Sequence, residues 1–272
     1  EASDAPYFSK LSDRYCCADH LEEQIDPIRT AGKSFIAPHA PNRTTAVAKA
    51  GGLIGIIEEP EYFRIVAVAD MQETLVHTTL PAPNDFLKLS GRGAYVDVTS
   101  TRDFMITTDR PVIVTSVQAS QDAAGVKRGL PGGDPSLIVI PPIEQFRGNY
   151  VFLTPDKYAF DFISISAPTS ATVLLDGMTL EAAGCVGAPA DGLTQQERGK
   201  AEAPAIVYRC QLSYPIVYPD KDSPNNVVPG EQNDGVHRVQ ADMPVMVVVY
   251  GFDNYVSYGY AAGTELEEIN VE

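Results

Sequence analysis

The sequence has no tryptophan, four histidines, four cysteines and a shortage of positive charge. Twenty Lys and Arg stand against 36 Asp and Glu, for a net charge of −16. Such a surface repels phosphate backbones, and no basic patch with interleaved aromatics occurs, which argues against nucleic acid and anionic membranes as partners. No apolar run approaches the ~20 residues a helix needs to cross a bilayer, so direct membrane insertion is not expected. His20, His39, His77 and His237 lack the spacing of metal ligands. No nucleophile elbow, phosphate loop or dinucleotide fingerprint is present. Helical periodicity is scarce too. Its best stretch, His20 to Ile28, is brief and runs into Pro27. The chain opens on Glu1-Ala2-Ser3-Asp4 rather than on a signal peptide, as a mature secreted protein or a piece of a longer chain would.

What is abundant is punctuation and β-formers. Gly and Pro number 21 each in 272 residues. Short runs of Val, Ile, Phe, Tyr and Thr recur between turn signals, the rhythm of an all-β sandwich or barrel. Predicted strands include Ser34 to Ala37, Ile54 to Glu58, Phe63 to Ala69, Thr74 to Thr78 and Val112 to Gln118. Further on they include Tyr150 to Thr154, Phe160 to Ser166, Ala171 to Leu175, Ala205 to Leu212 and Val245 to Gly251.

The strands repeat. Asp109-Arg110-Pro111 leads Val112-Ile113-Val114, and Asp242-Met243-Pro244 leads Val245-Met246-Val247, 133 residues later (242 minus 109). Proline donates no backbone hydrogen bond, so each motif is read as a turn at the start of a strand. Upstream, Phe35-Ile36-Ala37-Pro38 matches Phe152-Leu153-Thr154-Pro155 at an offset of 117 (152 minus 35). Ala69 matches Ala167, and Thr74 matches Thr172, at 98 (172 minus 74). Three motifs in one order predict two related antiparallel β-sandwich-like units. Four-stranded blades of a propeller-like array would give the same rhythm. The expected division is an irregular segment 1–30, a first β unit 31–142 and a second β unit 143–272. The second carries a loop insertion over 184–235.

Cys185 and Cys210 both fall in that insertion, 25 residues apart (210 minus 185). With no Cys-x-x-Cys and no nearby His, a disulfide staple is expected rather than a zinc site, and with it an oxidising compartment. Cys16 and Cys17 are adjacent, where an eight-membered ring strains the peptide, and their pairing is left open. Within 184–235, Gly184 to Pro204 reads as a small, polar loop. Asp220, Asp222, Asn225, Asn226 and Asp234 present oxygen donors that suit a hard cation such as calcium. Their spacing is not that of an EF-hand, and Asn and Asp are also ordinary turn formers. No other cofactor is expected.

The strongest candidate for binding is the aromatic tail, Tyr250, Phe252, Tyr255, Tyr258 and Tyr260, set among Gly251 and Gly259. Tyrosine gives rigid amphipathic contact area. The more ordinary reading is that the same residues close the end of a sandwich and bond to backbone. Tyr158-Ala159-Phe160 is a candidate to join them.

The ordered set His20-Leu21-Glu22-Glu23-Gln24, Phe63-Arg64-Ile65-Val66-Ala67, Thr101-Arg102-Asp103-Phe104, Asp109-Arg110-Pro111-Val112 and Gly133-Asp134-Pro135-Ser136 carries a resemblance. It continues through Tyr150-Val151-Phe152-Leu153-Thr154-Pro155, Leu175-Asp176-Gly177, Tyr250-Gly251-Phe252 and Tyr258-Gly259-Tyr260. Together these resemble the IgGFc-binding protein N-terminal domain family in its bacterial form, from about Cys16 to Leu266. The resemblance implies an extracellular or cell-surface module and transfers no catalytic residues. The leading expectation is therefore a non-enzymatic β module for adhesion or assembly, with a protein or glycoprotein at the cell exterior, or copies of itself, as partner. A carbohydrate- or glycoprotein-binding domain, calcium-dependent or not, is the second reading. A hydrolase with its site between the two units is the third.

Overall fold

The computed structural model describes Cys17 and residues 19–270. Its first sheet comprises β1 (Gly32–Ala37), β2 (Glu61–Ala67), β3 (Thr74–Thr78), β4 (Phe86–Leu89), β5 (Tyr95–Ser100), β6 (Phe104–Gln118) and β7 (Leu137–Ile140). The second comprises β8 (Arg147–Thr154), β9 (Phe160–Pro168), β10 (Val173–Leu175), β11 (Met178–Thr179), β12 (Val186–Pro189) and β13 (Ala205–Gln211). A small hairpin, β14 (Tyr214–Val217) with β15 (Val227–Glu231), precedes β16 (Gly235–Asp253) and β17 (Val256–Ala261), which complete the second sheet.

One topology is used twice. The first sheet runs β4-β3-β6-β2-β5, with β1 and β7 also on β6. The second runs β11-β10-β16-β9-β13-β12, with β8 and β17 also on β16. Each is a curled antiparallel sheet wrapped around one long strand. The first half of β6 pairs with β1 and β3, and its second half with β2 and β7. In β16 the first half pairs with β8 and β10, and the second with β9 and β17. This is not the strand order of a propeller blade. The two β units are sandwich-like, each having layers joined by a strand that passes through both.

The Asp-x-Pro motifs do not start strands, as the sequence suggested; they lie in the middle of them. Each marks the point where the long strand changes partners, and in β16 the register slips there between Gln240 and Val245. Proline is tolerated because a bend has no ladder bond for it to break. The aspartates fasten the bend to a neighbouring strand. Asp109 Oδ1 accepts the Leu75 N–H at 2.7 Å, and Asp242 Oδ1 accepts the Thr172 N–H at 2.8 Å. Val114 and Val247, the equivalent positions beyond the bend, are both fully buried.

Strand pairing also corrects the repeat offsets. Phe35 opposite Ile106 corresponds to Tyr150 opposite Val239, an offset of 115 (150 minus 35). Ile65 opposite Val114 corresponds to Ile165 opposite Val247, an offset of 100 (165 minus 65). Val76 opposite Thr108 corresponds to Val173 opposite Ala241, an offset of 97 (173 minus 76). Matching identical letters had slid these strands by one or two residues.

Other expectations fail locally. The stretch from Ile54 to Glu58 forms no strand, whereas His20 to Pro27, read as too brief for a major helix, is indeed not helical. The helix is α1 (Arg43–Lys49), where the Asn42 side chain accepts the Thr45 N–H at 2.8 Å and Ala46 and Val47 turn inward. The segment from Gly184 to Pro204 is structured. It holds β12, paired along β13, and the short α2 (Gln195–Arg198), which has a Thr194–Glu197 capping box.

The cores interlock. Phe63, Ile65, Phe104, Val112 and Val114 share one cluster with Met246, Val248, Ala205 and Val207 of the second sheet. On β16 these alternate with Val245, Val247 and Val249, which face a separate core with Tyr150, Ile163 and Ile165. The second core also receives Leu180, Leu212 and the Cys185–Cys210 disulfide. The staple expected from the sequence is thus present. Cys17 is disulfide-bonded as well, while Cys16 lies outside the described residues.

Candidate binding site at the tyrosine end

The aromatic tail forms the β16–β17 hairpin, and strand alternation divides its residues. Tyr250 and Phe252 point inward at 1 % and 0 % exposure. Phe252 stacks on Phe160 with centroids 4.5 Å apart, in a core that also holds Val47 of α1, Val126 and Leu130. These two side chains are therefore part of the core and offer no surface to a partner. Tyr255 sits at the hairpin tip with φ 64° and is 43 % exposed. Tyr258 and Tyr260 are half-buried, and the Tyr260 hydroxyl donates to the Leu153 carbonyl at 2.5 Å.

Tyr158 joins the hairpin, its ring edge-on to Tyr258 at 4.6 Å. Around this pair are carboxylates that sequence reading did not group. The Tyr258 hydroxyl donates to Asp161 Oδ1 at 2.6 Å. The Ser213 hydroxyl lies 2.8 Å from Asp161 Oδ2 and 3.3 Å from Asp234 Oδ1. Burial pushes the Asp161 carboxyl up to about 6, against the pull of the Tyr258 and Ser213 hydrogen bonds, with Asp234 and Asp253 adding to the rise. Asp134 is held by its N–H, which donates to Ser257 Oγ at 3.1 Å, and by the preceding Gly133 N–H, which donates to the Asp253 carbonyl at 2.9 Å. Burial, then the Asp19 carboxylate, push Asp134 up to about 7, and its Oδ1 is buried without a hydrogen-bond partner. Burial also raises Asp253. Burial first, then Asp134, Asp161, Asp253 and Asp19, raise the Tyr158 hydroxyl.

A groove of about 470 Å³ opens beside these groups, lined by Asp156, Tyr158, Pro224, Val227, Gln232 and Asp253. The loop proposed for calcium flanks it. The Ser223 hydroxyl lies 2.9 Å from Asn254 Oδ1 of the hairpin. Asn226 is fully buried, its Nδ2 donating to the Gly129 carbonyl and its Oδ1 accepting from Asn254. Asp220, Asp222 and Asn225 are exposed on the loop, and Asp234 lies with Ser213. Among the described residues no three His, Cys, Asp or Glu side chains group as metal ligands would. A signal for the acidic cluster did exist: Asp134 lies in a Gly-Gly-Asp-Pro turn, and Asp161 on a strand that is otherwise apolar or hydroxylic. Nothing in the sequence joined them, because Asp134, Asp161, Ser213 and Asp253 meet only through the fold.

One constellation resembles catalytic machinery. His237 lies 2.8 Å through Nδ1 from Asp176 Oδ2 and 3.1 Å through Nε2 from Thr154 Oγ1. That is the order of a nucleophile–base–acid chain. Thr154 is 1 % exposed and His237 2 %, and Nε2 also lies 2.9 Å from the Asn233 carbonyl. A buried hydroxyl gives a substrate no approach, so the trio ties the Asp176 turn to β8 and β16.

The sequence profile of the IgGFc binding protein family matches residues 6–251. No curated protein matches. Among solved structures, the apo form of Pleurotus ostreatus lectin aligns at 8 % identity over 91 % of this chain and 84 % of that one. Its TM-score of 0.19 carries no argument.

Proposed function

We propose that this chain, which belongs to the IgGFc binding protein family, is a non-enzymatic extracellular module that engages a protein or glycoprotein through its tyrosine end, in adhesion or assembly. The observation that carries the reading is the Tyr158–Tyr258 pair, with Tyr158 and Asp253 lining an open groove and Tyr255 exposed at the tip of the same hairpin. Rigid phenol faces supply contact area at low entropic cost, and the half-buried Asp253 carboxylate on the groove supplies direction. The disulfide supports an oxidising compartment, and among the described residues no helix is long and apolar enough to cross a membrane. The hydrolase reading has only the buried Thr154–His237–Asp176 trio in its favour. The test is a pull-down from the native cell surface with the whole chain. Capture of an exterior protein, lost in Tyr158→Ala/Tyr255→Ala, supports the reading; capture indifferent to both substitutions removes it.

A second reading, sugar recognition assisted by calcium, draws on the contact between the 219–235 loop and the hairpin at Ser223 and Asn254. Exposed Asp220, Asp222 and Asn225 would supply the oxygens. A glycan array with and without chelator tests it. Chelator-sensitive binding favours it, and absence of binding in both conditions ends it.

A further inference from the structure

Each strand of the first sheet has a counterpart in the second, and one surface differs sharply between the two units. Val151, opposite Arg238, is 69 % exposed; Leu153 and Val236, opposite each other, are 55 % and 72 % exposed. They form an aliphatic patch on the outer face of β8, which among the described residues pairs with β16 alone. An exposed apolar patch on an unprotected edge strand is a feature that isolated proteins avoid. The equivalents in the first unit, by strand register, are Ile36, Pro38 and Asp103. All three are buried, Ile36 at 2 % and Asp103 at 5 %.

At Asp103 the second unit itself supplies the cover. Its Arg209 guanidinium donates to the Asp103 carboxylate and, at 2.6 Å, to the His39 carbonyl. The Gly192 N–H donates to the Asp103 carbonyl at 2.9 Å, and Arg102 donates to the Gly192 carbonyl at 3.2 Å. Beside Arg209 on the same face of β13 stands Val207, fully buried in the shared core. The first unit is thus capped by β13 of the unit that follows it, and among the described residues the second unit's matching face carries no such cap.

The first unit carries the counterpart of that capping strand. Its β5 pairs with β2 as β13 pairs with β9. Register puts Tyr95 at the place of Val207 and Asp97 at the place of Arg209. Tyr95 is 57 % exposed, with the Arg64 guanidinium 4.2 Å above its ring, and Asp97 is paired with Arg64 at 2.8 Å. Inside the chain Val207 and Arg209 lie over Asp103; at the same register between chains Tyr95 and the Asp97–Arg64 pair would lie over Val236.

We infer that the β8–β16 outer face, centred on Val151, Leu153 and Val236, docks the β5 face of a second copy of this chain, centred on Tyr95. The contact repeats between molecules the packing already used between the units. The two faces differ, so the contact is heterologous and builds head-to-tail assemblies.

Sedimentation of the whole chain over rising concentration reads this directly. The wild-type sedimentation coefficient should climb with concentration. Val151→Asp and Tyr95→Ala should each remain monomeric, while Leu53→Asp, a control at an exposed aliphatic residue outside both faces, should behave as wild type. Each variant keeps one intact face, so mixing Val151→Asp with Tyr95→Ala should give dimers and nothing larger. Both substituted side chains are exposed, and unchanged melting curves would verify the fold. A wild type that stays monomeric at every concentration, or a mixture that stays monomeric, overturns the inference. So does Tyr95→Ala associating like wild type, or rapid disulfide dimerisation of Val151→Cys alone, which would mean that the patch pairs with itself.

Discussion

At the scale of single residues, the tyrosine end makes its own pH signature. Asp134 is raised to about 7 and Asp161 to about 6, above the usual carboxylate value. A carboxyl whose folded pKa is raised binds its proton more tightly in the folded state. Its contribution to stability is complete below about pH 4 and is lost as pH climbs through the folded value. Melting temperature should therefore fall between about pH 4 and pH 7, and Asp134→Asn should flatten that fall and raise the melting temperature at neutral pH. A profile unchanged by the substitution would show that Asp134 is not the group responsible. Tyr258→Phe removes one donor from a buried carboxyl and should cost about 1–3 kcal/mol in denaturant unfolding. Tyr255→Ala, at an exposed tip, should cost within about 0.5 kcal/mol.

At the scale of elements, the sequence exposed the repeat but misread its joint. Asp-x-Pro looks like a boundary because proline ends ladders. In β6 and β16 the ladder does change there, while the chain runs on into the next layer. Composition alone cannot tell a strand that begins from one that bends, since both leave proline free of a hydrogen bond. The valines beyond the bend were legible because a run of β-branched residues suits a doubly buried strand. Val114→Asp or Val247→Asp should bury an unpaired carboxylate and remove several kcal/mol from a margin of about 5–15 kcal/mol. Asp109→Ala or Asp242→Ala loses one hydrogen bond to a neighbouring strand and should cost about 1 kcal/mol. Urea unfolding of the four variants would order them. Equal costs within each pair would support equivalent roles, and a tolerated aspartate at either valine would contradict burial in that unit. Strands β11, β12, β14 and β15 escaped notice because they are short, and their partners, not their composition, hold them extended.

At the scale of the molecule, the two units close their cores differently. The first is closed by Met246, Val248, Ala205 and Val207 from the second unit. The second has Leu180, Leu212 and the Cys185–Cys210 bridge in the same role. The segment from Leu180 to Leu212 thus supplies a plug where the first unit has a neighbour. Bridging a separation of 25 residues is worth about 3 kcal/mol. Reduction should raise hydrogen exchange in β12 and β13 before β2 and β6. Uniform loss of protection would refute the assignment of the bridge to the second core. The cysteine spacing made the bridge legible in advance, whereas the acidic cluster was not, since its members are drawn from four separate segments.

The most direct test of the central claim is an array of extracellular proteins and glycoproteins probed in parallel with the wild-type chain and with Tyr158→Ala/Tyr255→Ala. The account predicts binding by the wild type and its loss in the variant, with both proteins melting alike. Equal binding by the two would contradict it, and so would no binding by either.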